Sequence, residues 1–125
     1  MESELVDKKH EITLQEVGDQ VMVITPASAL DNTNAHEMVD AITTAQSAGR
    51  RFIAIDMSNL EFLSSAGVGS ILGTVENSRE IGGDIVLFSV PETIMHILSV
   101  LDLDEYLTIR SDRAQAAALC DSEFK

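Results

Sequence analysis

Tryptophan is absent from this 125-residue chain, and one tyrosine and four phenylalanines are its only aromatic residues. The core must therefore be built from aliphatic side chains. Cysteine occurs once, as Cys120, which excludes an internal disulfide and suits a reducing compartment. Cations are scarce: eight Lys and Arg stand against 21 Asp and Glu, for a net charge of −13. Such a surface repels nucleic acid and anionic membranes, whose binding relies on Lys and Arg. It favours encounter with a basic patch on a protein partner, and it also keeps a chain soluble. No apolar run approaches the ~20 residues of a membrane span. The opening MESELVDKKH lacks the apolar stretch of a signal peptide. The cytoplasm is the expected location. The three histidines, His10, His36 and His96, show no metal-ligand spacing, and no Gly-x-x-x-x-Gly-Lys-Ser/Thr loop occurs. No metal or other cofactor is expected.

What is present reads as one α/β domain over residues 1–125, with 1–9 as a flexible N-terminal extension. Glu11–Val17 alternates imperfectly, Gly18-Asp19 forms a hairpin turn, and Val21–Ile24 is a buried strand that Pro26 ends. Asp31-Asn32-Thr33 supply N-cap residues for a helix whose stripe is Ala35, Met38, Val39, Ile42 and Ala45. Gly49 with Arg50 and Arg51 closes it. Phe52–Ile55 is a short continuous apolar run, typical of a strand covered on both faces. Val68, Ile71, Leu72 and Val75 mark a second helix, ended by Gly82-Gly83. Asp84–Phe88 is the next strand. Pro91 and Glu92 open a third helix, with Ile94, Ile97, Leu98 and Leu101 on its apolar face. Leu107–Ile109 forms a last short strand, and Ser111 or Asp112 caps a final alanine-rich helix. The order ββαβαβα(β)α predicts a mixed, largely parallel sheet of four to five strands with about four helices packed on it.

Functional groups in such sheets gather at the carboxyl ends of the strands, here after Ile24, Ile55 and Phe88. The segment after Ile55, DMSNLEFLSSAGVGSILG, is the most informative. It runs from a strand end into a helix N-terminus, where free amides and the macrodipole favour a phosphate. On residue chemistry alone Ser64 and Ser65 read as helix-capping residues, and Asp31 and Asp56 as turn residues. Gly67, Gly69 and Gly73 all fall in this helix, each at roughly 1 kcal/mol against alanine. Either tight packing on the sheet or close approach of a partner offsets that cost.

The segment resembles the signature of the STAS family, the sulfate transporter and anti-sigma factor antagonist domain. Asp56, Ser58, Phe62, Ser64, Ser65, Gly67, Val68 and Gly69 carry the match. Leu30-Asp31 before Asn34-Ala35, Ile81-Gly82-Gly83-Asp84 and Leu101–Leu107 extend it over nearly the whole chain. The resemblance implies that Ser65 is the phosphorylated serine, with Ser64 and Ser58 as weaker alternatives. It implies a partner surface of Asp31, Asn32, Asp56, Ser58, Ser64, Ser65, Gly67, Val68 and Gly69. Three departures stand out: Ser64 where the best-known antagonists carry Asp, Ala66 for a second Ser or Thr, and Ser28-Ala29 for Gly-Glu.

The implied function is a non-enzymatic, phosphorylation-switched anti-sigma factor antagonist. Its implied partners are an anti-sigma factor that is itself an ATP-using serine kinase, and a PP2C-type phosphatase. One alternative is a stand-alone STAS subunit of a lipid-transport or signalling-scaffold complex that binds constitutively. Another is a small nucleotide-binding protein, against which the missing phosphate loop argues.

Overall fold

A computed structural model of the chain describes residues 8–120. A short 3-10 turn, Lys8–His10, precedes β1 (Ile12–Val17) and β2 (Val21–Pro26). Then come β3 (Ala29–Leu30), α1 (Ala35–Ser47), β4 (Phe52–Asp56), β5 (Phe62–Leu63) and α2 (Ser65–Glu80). The chain continues through β6 (Asp84–Phe88), α3 (Glu92–Val100), β7 (Thr108–Arg110) and α4 (Arg113–Leu119). The expected N-terminal extension lies outside the described residues, except for Lys8 and Lys9 in the 3-10 turn.

Five strands make one mixed sheet in the order β1-β2-β4-β6-β7. The β1–β2 hairpin is antiparallel and every other pair is parallel. The mixed sheet and its four helices agree with the sequence reading. The alternation of the strands divides the core in two. Met22, Ile24, Ile53, Ile55, Ile85 and Leu87 face α1, α2 and α3, where Met38, Ile42, Val68, Ile71, Val75, Ile94 and Leu98 meet them. Val21, Val23, Ala54, Val86 and Phe88 face the other way, against Ala116 and Ala117 of α4. Apolar cover on both faces explains why β2, β4 and β6 read as continuous hydrophobic runs. Strand β1 lies at the edge, so its alternation is imperfect and Leu14 stays exposed.

The structure corrects several details. Asp31, Asn32 and Thr33 do not cap α1 directly. Asn34 holds the N-cap position, and the Asp31 carboxylate accepts the Thr33 amide at 2.9 Å, capping the turn before the helix. Leu101 is the C-cap of α3 and is exposed, because that helix ends one residue short of it. The last strand starts at Thr108, and Asp112, not Ser111, caps α4 through the Gln115 amide at 2.9 Å. At the Gly82-Gly83 turn the Asp84 amide donates to the Arg51 carbonyl at 3.1 Å, and a Cβ on Gly83 would lie 1.9 Å from that same oxygen. Glycine is required there by contact.

Two elements escaped the sequence reading. β3 and β5 form a separate two-stranded parallel ribbon, pairing Ala29 with Phe62 and Leu30 with Leu63. Its consequence is positional: it brings the residue after Leu30 beside the residue after Leu63.

Candidate functional site

The ribbon delivers Asp31 and Ser64 to the same place, the N-terminal tip of α2. The Ser64 amide donates to the Leu30 carbonyl at 3.0 Å, continuing the ribbon into the helix start. Ser64 is the N-cap: its Oγ accepts the Gly67 amide at 3.2 Å. The capping reading of Ser64 therefore holds in the geometry. Ser65 is the first helical residue and its side chain is exposed. The amides of Ser65 and Ala66 precede any intrahelical acceptor, and the positive end of the macrodipole lies with them. A phosphate on the Ser65 hydroxyl would meet that field directly.

The three glycines have different causes. Gly67 is buried, and a Cβ there would come 2.5 Å from the Leu30 carbonyl oxygen and 2.8 Å from Leu63 Cδ1. Its bareness lets α2 sit on the ribbon. Gly69 and Gly73 are exposed, with open space where a Cβ would go. They leave one face of α2 as uncovered backbone. Val68 is buried in the core. Gly67 and Val68, expected on the partner surface, are buried and serve packing instead, while Gly69 is exposed.

Asp31 is held from three directions. His10 Nε2 lies 3.0 Å from its Oδ2, the Thr33 amide donates to Oδ1, and its own amide donates to Asn34 Oδ1 at 3.0 Å. The His10 hydrogen bond, then the Thr33 amide, holds the Asp31 carboxyl below the usual carboxylate range. A depressed folded-state value stabilises the fold above the ordinary carboxylate pKa, and that contribution is lost as pH falls through the lowered one. Replacing His10 with alanine is therefore expected to move the Asp31 titration upward, which carboxyl-carbon NMR would record. An unchanged midpoint would show that His10 does not set it.

Asn34 is the residue that sequence reasoning missed as part of this site. It is 2% exposed, and its Nδ2 donates to the carbonyls of His10 at 2.9 Å and Ala29 at 3.0 Å. It ties the chain before β1, the ribbon and the Asp31 turn together. The Asn-Ala pair opening α1 was visible as a motif, but nothing in its spacing told of this role. His10, which the sequence marks only by its lack of metal-ligand spacing, also belongs here.

Asp56 and Ser58 are not joined to this tip by any hydrogen bond among the described residues. Asp56 Oδ1 accepts the Ser58 amide at 3.0 Å, and the Met57 amide donates to the Phe88 carbonyl at 3.0 Å. They sit where β4 and β6 end, in turn geometry. Asn32 and Ser58 are both exposed. Phe62, one residue before the ribbon's end, is 55% exposed, a large apolar surface three positions from Ser65. Among the described residues no group of three or more His, Cys, Asp or Glu could hold a metal ion, and no helix is long and apolar enough to cross a membrane.

The family model of the STAS domain matches residues 12–116. BtrV of Bordetella bronchiseptica, a candidate anti-sigma factor antagonist, is 20% identical over 100 residues, covering 80% of this chain and 86% of BtrV. The anti-sigma factor antagonist SpoIIAA in its unphosphorylated form superposes with a TM-score of 0.76 at 20% identity, covering 86% of this chain and 95% of that one. The phosphorylated form of the Bacillus cell fate determinant SpoIIAA gives 0.70 at 21% identity, over 86% and 98%. At these identities the superpositions establish the fold.

Proposed function

The chain belongs to the STAS domain family, and on that premise we propose that it is an anti-sigma factor antagonist switched by phosphorylation of Ser65. The observation that carries this reading is the exposed Ser65 hydroxyl on the first turn of α2, beside a helix face left bare by Gly69 and Gly73. In the unmodified state this tip docks an anti-sigma factor, which then releases its sigma factor. The same partner is an ATP-using serine kinase and esterifies Ser65. A PP2C-type phosphatase restores the hydroxyl. ATP and metal belong to those partners, and this chain acts by binding, not by catalysis. It works in the cytoplasm and touches neither nucleic acid nor a membrane.

The physics of the switch is local. Phosphorylation adds about −1.5 to −2 charge and three strong acceptors. The helix tip accommodates them through its amides and dipole. A partner packed on bare helix backbone does not, because a charge enclosed without counter-groups is costly. Ser64 in place of an aspartate removes one carboxylate from the acceptor's neighbourhood.

To test the assignment, the chain is incubated with its cognate kinase and ATP, and the phosphate is mapped by mass spectrometry. One phosphate on Ser65, absent from Ser65→Ala, is the expected result. Modification of Ser58, Ser64 or another residue in its place would contradict it.

A further inference from the structure

A second surface lies on the far flank of α1 from α2. Helix α1 is drawn towards α2 by Gln46, whose Nε2 donates to the Thr74 carbonyl at 3.1 Å and to Ser78 Oγ at 2.9 Å. Leu14, in the middle of edge strand β1, stays exposed beside α1. Between β1 and α1 runs an open groove of about 400 Å³. Its floor is apolar: Leu14, Met22 and Ala41, with Leu14 48% exposed. Its rim is acidic: Glu37 and Asp40 along α1, and Glu16 on β1. Positions 37, 40, 41 and 44 are spaced to form one helical flank. Glu16 is paired with Arg50 at 3.4 Å, towards the hairpin end. Among the described residues Glu37 and Asp40 have no ion-pair partner.

We propose that this groove docks a cationic amphipathic segment of a protein partner, with aliphatic side chains on the floor and Lys or Arg against Glu37 and Asp40. Charge complementarity selects this occupant. A second copy of the chain carries a net charge of −13 and would bring like charge to an acidic rim. A lipid or nucleic-acid phosphate meets the same repulsion. An amphipathic segment satisfies both halves of the groove at once. None of the residues at the tip of α2 lines this groove, so it is a docking site distinct from the one proposed to be switched at Ser65.

The test titrates the isotope-labelled chain with a synthetic amphipathic helix of leucine and lysine, followed by NMR. A leucine–glutamate helix of the same apolar pattern is the control. Saturable shifts are expected at Leu14, Met22, Glu37, Asp40 and Ala41, weakening with salt. The Glu37→Lys, Asp40→Lys double variant, altered only at exposed positions, should lower affinity by about tenfold or more. Leu14→Ser should lower it independently. Shifts that spread over the whole acidic surface without saturating would overturn the proposal. So would shifts confined to the α2 tip, equal binding of the glutamate helix, or concentration-dependent shifts at the groove without any peptide.

Discussion

Replacing Ser65 with aspartate is expected to weaken binding to the anti-sigma factor by roughly a hundredfold or more, while leaving the fold at least as stable as before. The two effects separate because the side chain is exposed on the first turn of α2. In the free chain a carboxylate there meets free amides and the positive end of the helix, a stabilising arrangement worth ~0.3–1 kcal/mol. In the proposed complex the same charge would be enclosed by the partner, and an uncompensated buried charge costs on the order of 3–5 kcal/mol. Ser65→Ala should bind like the wild type and resist switching. Isothermal titration with the cognate anti-sigma factor, alongside urea unfolding, checks both halves. Wild-type affinity in Ser65→Asp would remove the docking surface from this tip. A parallel loss of stability would reassign the effect to the fold.

Gly67→Ala and Gly69→Ala are expected to act in opposite directions, two residues apart on one helix. Alanine is favoured over glycine in a helix interior by roughly 1 kcal/mol, and that gain is open to both. At Gly69 nothing lies within 4 Å of the new methyl, so the gain is realised and the chain is stabilised. At Gly67 the methyl would meet backbone: the Leu30 carbonyl oxygen at 2.5 Å, the acceptor of the Ser64 amide. Relief requires moving the ribbon off the helix tip. Overpacking of this kind costs ~1–3 kcal/mol, and the net change is a loss. The altered tip should also bind its partner less well. Gly69→Ala is expected to bind less well for a different reason, since a methyl would stand on the bare face proposed to meet the partner. Urea midpoints of the two variants, with the titration above, separate the causes. A destabilised Gly69→Ala or a stabilised Gly67→Ala would refute this account of the glycines.

Much of this was legible from residue pattern because period and length were sufficient. The runs Val21–Ile24, Phe52–Ile55 and Asp84–Phe88 lie within strands covered on both faces, and their unbroken hydrophobicity said so. The stripes in α1 and α2 fell at helical spacing, and Ser64 was recognisable as a cap from its place before the glycine-rich run. The ribbon was not legible. Strands of two residues carry no period, and β3 and β5 are defined by pairing across more than thirty positions of chain. For the same reason His10 was not seen to meet Asp31, nor Asn34 to tie the ribbon to the chain before β1: those partners are 5 to 24 residues away and appear only once the ribbon is folded. Gly67 and Gly69 look alike in sequence, and only the path of the Leu30 carbonyl tells them apart.

The proposed switch requires one coincidence of place, that the hydroxyl a kinase modifies is also the spot a partner covers. Its most direct test is calorimetry on one preparation of the chain, before and after enzymatic phosphorylation of Ser65, against the same anti-sigma factor. Turning a nearly complete complex into a nearly empty one takes a differential affinity of ~5.5 kcal/mol, about 10⁴-fold. A drop of that order, with the unfolding midpoint not lowered, is the predicted result. Equal affinity of the two forms would contradict it.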